Sequence, residues 1–327
     1  MSKKPKILVV GSFIMDLVAM ADRAPAMGES VIGHSFRTAP GGKGANQAVQ
    51  AARLGVETHM AGCVGDDAHG REMLQALQAS GVDTRHVKTS HEHPSGVGHI
   101  QIQTGAGCVQ NRIIVVPGAN YDLKPSDLEW LKEEIGSYDI VIMQLELEMP
   151  TIEYVARVAK DAGVPVMLNT APAAPLSDKL LSCVTFISPN ETEASLLSGV
   201  KTDAKGRLSE KALMDAASVL MGKGVPNVII TLGDEGAVLC TSSGILRKPC
   251  VKMTDVKDPT AAGDSFVGAF CAGYASGFTT DEALTLAVHA AALTVCGFGA
   301  IPSLPTREQV LALAEERKCN ELTDKLK

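Results

Sequence analysis

Residues 258–266, Asp-Pro-Thr-Ala-Ala-Gly-Asp-Ser-Phe, place two carboxylates around very small side chains, and a run of small and apolar residues that predicts a helix follows. Amide groups at a helix N-terminus can surround a phosphate when the side chains there, as at 261–263, are small. A carboxylate at the same helix start, Asp264, can accept a proton from a substrate hydroxyl while the amides hold the phosphoryl group. Alternatively, Thr260 or Asp264 only caps the helix.

A second candidate is the glycine cluster Gly-Gly-Lys-Gly at 41–44, which precedes a predicted small-residue helix that begins near Ala45. Backbone without side chains can approach a ligand closely, and Lys43 and Asn46 supply donors. The cluster is not a Walker A loop, because no Ser or Thr follows the lysine. A glycine-rich turn before a packed helix also explains the glycines, but Lys43 and Asn46 favour binding.

Two further segments are compatible with a nucleotide site. Asn190 and Glu193 lie three residues apart, on one face if a helix begins there, where they could organise magnesium-bound water. The same residues also form an ordinary helix start. The segment 231–237, Thr-Leu-Gly-Asp-Glu-Gly-Ala, predicts a glycine turn after a strand, which suits backbone contact with a nucleotide or an ordinary hairpin.

His91 and His93 in His-Glu-His-Pro alternate as metal ligands on a strand can. No third ligand follows nearby in the sequence, so a solvated loop is the preferred interpretation. We assign these histidines no role.

The elements that must position these residues alternate along the chain. Helical patterns at 151–163 and 210–224 each close on Gly and lie between runs rich in Val and Ile. Those runs predict strands at 6–12, 140–146, 164–172, 185–191 and 227–233. The alternation predicts a three-layer α/β/α sandwich with a mostly parallel sheet, whose ligands bind beyond the carboxyl ends of the strands. Segments 14–40 and 95–120 have no crossover helix, and with a hairpin turning at 104–107 they predict a small β lid.

Composition limits the class of protein. The 327 residues, 45% of them hydrophobic, suit one large α/β domain over 1–327. A net charge of −7 and 4% aromatic residues give no basic or stacking surface for nucleic acid. No apolar run reaches transmembrane length and the start is too short for a signal segment, so we expect a cytoplasmic protein with no membrane partner. Eight cysteines without a Cys-x-x-Cys pair predict reduced, mostly buried thiols.

Taken in order, six segments resemble the ribokinase family of sugar kinases along nearly the whole chain. They are Gly-Ser-Phe-Ile-Met-Asp (11–16), Pro-Gly-Gly-Lys-Gly-Ala-Asn-Gln-Ala (40–48), Met-Gln-Leu-Glu (143–146), Pro-Asn-Glu-Thr-Glu-Ala (189–194), Thr-Leu-Gly-Asp-Glu-Gly (231–236) and residues 258–266. Each segment alone is common, whereas the ordered set is specific. The resemblance implies an α/β/α domain with a β lid and phosphoryl transfer from ATP, with Mg²⁺, to the primary hydroxyl of a sugar.

The resemblance also implies roles position by position. Asp264 matches the catalytic base, and the anion hole matches Ala261, Ala262 and Gly263. The sugar-binding positions are Ile14, Asp16, Gly42, Lys43, Asn46, Glu146 and Asp264. The ATP positions are Asn190, Glu193, Thr231, Gly233, Gly236 and Gly263. A monovalent-cation site for K⁺ matches Asp258, Thr260, Thr294, Gly297, Gly299 and Ser303.

This chain departs from the family pattern at three places, one of which is Pro259, unusual between two of the cation ligands. The family usually has Arg-Lys-Gly at 297–299, where this chain reads Gly-Phe-Gly, but carbonyl ligands tolerate that change. The family typically has Asn at the position of Ile14. Alternatively, Ile14 turns into the core and a neighbouring group replaces the Asn. If Ile14 faces the sugar instead, its aliphatic side chain leaves fewer polar groups without a partner when a sugar hydroxyl is missing. We therefore expect a kinase for the 5-hydroxyl of D-ribose that accepts 2-deoxy-D-ribose unusually well.

The lid segments should also present an exposed sheet face that a second copy covers, which predicts a homodimer. A nucleoside kinase of the same fold is an alternative, although the nucleobase of its substrate needs aromatic surfaces, and this chain has few aromatic residues. A non-catalytic sugar sensor is a second alternative, against which the intact Gly263-Asp264 pair argues. An NAD-linked oxidoreductase is excluded, because the first strand is not followed by Gly-x-Gly-x-x-Gly.

Overall fold

The computed structural model describes residues 4–104, 110–203 and 205–327. The Val- and Ile-rich runs form strands, as their β-branched side chains favour. The strands are β1 (Lys6–Val10), β2 (Ile14–Ala21), β3 (Ser35–Gly41), β4 (Glu57–Gly65), β5 (Asp83–Ser90), β6 (Gly96–Gln103), β7 (Gln110–Val116), β8 (Ile140–Met143), β9 (Val166–Asn169), β10 (Phe186–Ser188), β11 (Asn227–Thr231), β12 (Ala237–Thr241) and β13 (Gly244–Lys248).

Nine strands form one sheet in the order β13-β12-β11-β10-β9-β8-β1-β4-β5. The pairs from β11 to β5 are parallel, and only β12 and β13 join the edge in antiparallel orientation. This confirms the predicted mostly parallel sheet. Parallel strands place their carboxyl ends on one edge, so the segments after β1, β8, β9 and β10 lie near one another.

Helices cover both faces of this sheet. They are α1 (Lys43–Arg53), α2 (Ala68–Ala79), α3 (Leu131–Glu134), α4 (Met149–Asp161), α5 (Asp178–Leu181), α6 (Glu191–Ser198), α7 (Glu210–Gly222), α8 (Ala262–Ala275), α9 (Thr280–Thr294), α10 (Arg307–Glu316) and α11 (Asn320–Leu326). In β1, Ile7 and Val9 pack into the core beneath α1, α8 and α9, whereas Leu8 and Val10 pack into the core beneath α4 and α7. The three-layer α/β/α prediction is confirmed.

The lid is a separate four-stranded sheet in the order β3-β2-β6-β7. Strands β2 and β6 pair in parallel, and the other two pairs are antiparallel. It is built from the two segments that lacked a crossover helix, which confirms the predicted lid. The expected turn after Thr104 falls at 105–107, outside the described residues.

All seven cysteines of the described residues are free thiols. Three are buried, Cys63, Cys240 and Cys271, and the other four are half-buried. The expectation of mostly buried thiols was therefore wrong, because the remaining four follow helices or strands at the surface of the core. None of the described helices is both long and apolar enough to cross a bilayer.

Candidate active site

The N-terminus of α8 has no side-chain cap. Ala261 occupies the N-cap position in a left-handed conformation, with φ of 60°. The Thr260 side chain and amide instead donate to Asp258 Oδ1, at 2.6 and 2.9 Å. The alternative that Thr260 or Asp264 only caps this helix is therefore wrong, because the Thr260 hydroxyl is bound to Asp258 and Ala261 is left-handed.

Two amides of the first turn of α8 remain available, whereas the amide of Ala262, a predicted anion-hole residue, donates to the Pro259 carbonyl at 3.2 Å. The helix's own hydrogen bonding starts with Ser265 N–H donating to the Ala261 carbonyl, at 2.8 Å, so the amides of Gly263 and Asp264 have no helical acceptor. A Cβ added at Gly263 would meet no atom within 4 Å, so open space adjoins this turn. The helix start can hold an anion by its backbone alone.

The Asp264 carboxylate lies at this helix start and is only 7% exposed. Asn46 Nδ2 donates to its Oδ2 at 2.8 Å, and Gln47 Nε2 donates to its Oδ1 at 3.0 Å. Gln144 Nε2 donates to Gln47 Oε1 at 2.6 Å, which fixes the orientation of the Gln47 amide. Two amide donors thus hold both oxygens and fix the orientation of the carboxylate, an acceptor that can take a proton from a ligand hydroxyl.

A cleft of about 1020 Å³ lies between the lid and the end of the main sheet. All predicted sugar-binding residues line it: Ile14, Asp16, Gly42, Lys43, Asn46, Glu146 and Asp264. Asp258, Thr260, Ala261 and Gly299 line it too. The lid contributes the aliphatic side chains of Ile100, Ile102, Ile113 and Val115. Polar groups therefore meet at the base of the cleft, beneath an apolar cover.

The carboxylates in the cleft repel one another. Burial, together with the charges of Glu146 and Asp264, raises the pKa of Asp16 to about 6. Burial also raises the pKa of Glu146 above its usual range, although Lys43 opposes this effect. Burial by itself would lower the pKa of Lys43, but Asp264, Glu146, Glu193 and Asp16 outweigh it and raise that pKa. Lys43 is therefore a permanent ammonium among acidic groups.

Glycines let the backbone approach these groups closely. Gly42 has φ of 98° before α1, and a Cβ at Gly44 would lie 2.5 Å from the Ser12 amide nitrogen. The turn-and-packing interpretation is thus right for these two glycines, while Lys43 faces the cleft. Gly98 pairs with Asp16 across the lid, and a Cβ there would lie 2.7 Å from Asp16 Oδ1.

The predicted nucleotide residues form a second group beside this cleft. Asn190 caps α6 and exchanges hydrogen bonds with Glu193, so the helix-start interpretation is right for the local structure. Glu193 Oε2 also accepts from Thr170 Oγ1 at 3.1 Å. An isolated bridge joins Asn190 to Thr231, which brings the two predicted nucleotide segments together. These residues do not line the cleft, but Glu193 acts electrostatically on Lys43, which does.

The turn that begins at Thr231 continues through Gly233 and Gly236, both with positive φ. A Cβ at Gly236 would lie 2.1 Å from the Lys248 carbonyl oxygen, so packing against β13 requires that glycine. Gly233 borders open space. Strands β11 and β12 form an antiparallel hairpin, as the alternative interpretation predicted.

The six candidate cation ligands are joined by a chain of contacts. Gly299 N–H donates to Asp258 Oδ2 at 3.0 Å, and the Ser303 hydroxyl donates to the Gly299 carbonyl at 2.7 Å. A Cβ at Gly297 would lie 2.7 Å from Ser303 Cβ, and Gly297 N–H donates to the Thr294 carbonyl at 3.1 Å. With Thr260 bound to Asp258, the structure brings all six together beside the anion-binding turn.

The comparisons with known proteins agree with this geometry. The family model described as pfkB family carbohydrate kinase matches residues 4–307. The chain belongs to the pfkB family of carbohydrate kinases. A ribokinase of Haemophilus influenzae is 38% identical over 311 residues, which cover 94% of this chain and 98% of the relative. A deoxyribokinase of Salmonella typhimurium is 33% identical over 304 residues, 93% of this chain and 96% of the relative.

A solved structure of similar shape is that of Arabidopsis thaliana ribokinase complexed with ribose and ATP. It superposes with a TM-score of 0.87 at 34% identity, and the match covers 95% of this chain and 98% of that one. The ribokinase-like fold with its lid is therefore confirmed, and the chain is a phosphotransferase of the carbohydrate kinase class.

Sequence reasoning missed the residues that hold the polar groups of this pfkB-family site. Gln47 and Gln144 are fully buried and orient Asp264, and the Ser12 hydroxyl donates to the Glu146 carboxylate. A signal was present, because each of these polar residues sits among small or apolar residues at the start of a helix or the end of a strand. Buried amides need partners, which should have indicated a role for the two glutamines.

Proposed function

We propose that this chain is an ATP-dependent pentose kinase that phosphorylates the 5-hydroxyl of D-ribose and of 2-deoxy-D-ribose. The observation that carries the proposal is the Asp264 carboxylate, which is buried, held by two amide donors and placed at the uncapped start of α8 on the edge of the cleft. A base and an anion site at one point are what phosphoryl transfer to a hydroxyl requires.

The sugar binds at the base of the cleft. Asp16 and Glu146 accept hydrogen bonds from its hydroxyls, and Lys43 donates. Asn46 Oδ1 is buried and has no partner among the described residues, so it is an acceptor ready for a sugar hydroxyl. These contacts orient the 5-hydroxyl towards Asp264.

In the chemical step, Asp264 accepts the proton of the 5-hydroxyl as the oxygen attacks the γ-phosphorus. The bond from phosphorus to the β–γ bridging oxygen breaks, and ADP leaves with that electron pair. The amides of Gly263 and Asp264 stabilise the charge on the transferring group, because they are already oriented and have no acceptor within the helix. The amide donors from Asn46 and Gln47 keep the carboxylate in place.

A divalent ion fits beside this site. Asn190 and Glu193 would hold magnesium-bound water, since hard oxygen donors suit Mg²⁺ and Glu193 is buried next to its partner. Magnesium bound with ATP supplies positive charge to the phosphate oxygens. Thr231, Gly233 and Gly236 would contact the nucleotide through the turn after β11.

A potassium ion fits at the loop before α8. The donor set there consists of oxygens with one formal negative charge, from Asp258, and it adjoins the anion-binding turn. The other ligands would be Thr260, Thr294, Gly297, Gly299 and Ser303. A cation held there orders the loop without taking part in the reaction.

We assign the lid two tasks, the exclusion of water from the cleft and the choice of sugar. Its aliphatic side chains line the cleft, and Ile14, only 4% exposed, lies among them. An aliphatic group in that position offers no hydrogen-bond partner to a sugar hydroxyl, so a sugar that lacks this hydroxyl loses little binding free energy. Phe298 is the single aromatic residue among the described residues that line the cleft, and it is 59% exposed, which disfavours a nucleoside substrate.

The protein acts as a single domain over 1–327 and as a homodimer through its lid. Phe36, Ile114 and Val116 lie on the lid face opposite the cleft, and Phe36 and Ile114 are 66% and 65% exposed. The same face also carries His99 and Gln101, and exposed apolar side chains set among polar ones suit a second copy of this face. We place the protein in the cytoplasm, where ATP is available and free cysteines remain reduced.

A survey of ATP turnover tests the proposal. Ribose, 2-deoxyribose, fructose and adenosine are each supplied with Mg²⁺-ATP, and the phosphorylated position is read by ³¹P and ¹³C NMR. We expect turnover with both pentoses and phosphate on O5. Preference for adenosine would support the nucleoside kinase instead, and no turnover with any acceptor would support a sugar sensor.

A further inference from the structure

A cluster of three metal-ligating side chains lies outside the cleft. The sequence offered His93 without a third ligand nearby, but the fold brings Asp122 to it, with 2.8 Å between His93 Nδ1 and Asp122 Oδ1. The Glu92 carboxylate completes the group, and the three ligand atoms lie within 4.8 Å of one another. Asp122 is only 8% exposed, whereas Glu92 and His93 face solvent, so an ion could enter from outside.

Ser90 organises this cluster. Its hydroxyl donates to Asp122 Oδ2 and accepts from the amides of Glu92 and His93, at 3.1 and 3.4 Å. The buried Ser90 hydroxyl therefore fixes the backbone of Glu92 and His93. It also fixes the Asp122 carboxylate oxygen that does not contact His93. Partners of this kind orient the ligands in metal sites.

The cluster spans two of the connections between the lid and the main sheet. Ser90 ends β5, and the segment 91–95 leads into lid strand β6. Strand β7 leaves the lid at Val116 and leads to Asp122 at the end of a single 3₁₀ turn. The Ala119 amide already donates to the Pro94 carbonyl at 2.8 Å, so the two connections run side by side.

We propose that Glu92, His93 and Asp122 bind a divalent transition-metal ion, with Zn²⁺ as the best match, and that the ion ties the two connections together at the base of the lid. One imidazole and two carboxylates suit Zn²⁺ or Mn²⁺, whereas Mg²⁺ prefers oxygen ligands alone. Nitrogen and oxygen ligands about 2.1 Å from a tetrahedral ion lie ~3.4 Å apart, so the His93–Asp122 pair opens slightly as the ion replaces the imidazole proton. The proposal is independent of the kinase activity.

The chain supplies its own matched control, because His91 and His93 flank Glu92. The His91 side chain points to Asp66, with 3.3 Å between Nδ1 and Oδ2, and it is not part of the cluster. His93→Asn, Glu92→Gln and His91→Asn are compared with the parent, all without an affinity tag. Zn²⁺ binding is measured by competition with a chromophoric chelator in the presence of Mg²⁺, and Co²⁺ absorption reports the ligand geometry.

We expect the parent and His91→Asn to bind one ion with equal affinity. Loss of a direct ligand in His93→Asn or Glu92→Gln should weaken binding by at least the roughly 10-fold that loss of a supporting partner causes. Hydrogen exchange of 91–96 and 117–122 should slow with Zn²⁺ only in the parent and His91→Asn. If His93→Asn proves unfolded by circular dichroism, the exposed Glu92→Gln carries the comparison.

Equal Zn²⁺ affinity in the His91 and His93 variants would overturn the site, and so would a parent that binds no ion at millimolar Zn²⁺. In the latter case His93 and Asp122 form an ion pair only. Binding that depends on His93 but leaves hydrogen exchange unchanged would overturn the proposed link between the two connections.

Discussion

Replacement of Asp16 by Asn should stabilise the protein and weaken its binding of sugar. Asp16 is held among Glu146 and Asp264, and its pKa is about 6 in place of 3.8. In the described part of the chain no donor makes a hydrogen bond to its carboxylate, so Asn of the same size removes a charge without breaking a bond. The repulsion results from placing several carboxylates together to accept hydrogen bonds from the hydroxyls of a ligand.

The size of the expected stability change follows from the linkage between proton binding and folding. A carboxyl with a raised folded-state pKa destabilises the fold when ionised, so the penalty is absent below pH 3.8, grows between 3.8 and about 6, and is complete above that range. A shift of about two units corresponds to ~3 kcal/mol at pH 8 and about half of that at pH 5. Solvent near the open cleft reduces it, so we expect Asp16→Asn to stabilise by about 2 kcal/mol at pH 8, or ~4 °C in Tm.

Denaturant unfolding of the parent and Asp16→Asn at pH 8 and pH 5 measures this difference. Asp22→Asn is the matched control, since that carboxylate lies just after the same strand and is 90% exposed. It should change stability at neither pH. The KM for ribose should rise on the order of 10-fold or more in Asp16→Asn, as expected for loss of a charged acceptor. An Asp16 variant that is no more stable than the parent at pH 8, or equally stabilised at both pH values, would refute the reasoning.

Three further outcomes are expected. Ile14→Asn should shift the kcat/KM ratio towards ribose over 2-deoxyribose by roughly three- to tenfold, the value of one hydrogen bond, and an unchanged ratio would show that Ile14 does not set the choice. Gln47→Glu places a carboxylate beside Asp264, so kcat should fall about 10-fold or more while the KM for ribose changes little. The acidic limb of the kcat–pH profile should shift to higher pH. A limb that does not shift would mean that Gln47 has only a packing role. Potassium should raise the rate above that in tetramethylammonium at equal ionic strength, and equal rates would argue against a cation at Asp258.

The sequence was sufficient for the fold where strands were short apolar runs between helical patterns, as with β1, β8 and β9. It did not indicate β4, whose polar residues Thr58 and His59 are buried. His59 is satisfied by the Tyr138 hydroxyl, 79 residues away, at 3.0 Å. Burial of a polar side chain depends on a partner that only the fold brings near, so periodicity alone could not identify that strand.

The candidate site, like the fold, could be predicted from the sequence only in part. The residue types at 258–266 indicated a base and an anion site, but only the left-handed backbone of Ala261 excludes a capped helix. The pairing of Gln47 with Gln144 spans 97 residues and could not be read from either segment. Asn190 and Glu193 form a capping box that would look the same with or without a role for nucleotide, so their sequence could not separate the two interpretations.

The most direct test of the account is the turnover number of Asp264→Asn with ribose and Mg²⁺-ATP. Asn keeps the shape of the side chain and can still accept from Asn46 or Gln47 through its oxygen, but it cannot take the proton of the 5-hydroxyl. The account predicts an unchanged fold, a nearly unchanged KM for both substrates and a loss of kcat on the order of 10²-fold or more. A variant that keeps most of its kcat would contradict the assignment of Asp264 as the base.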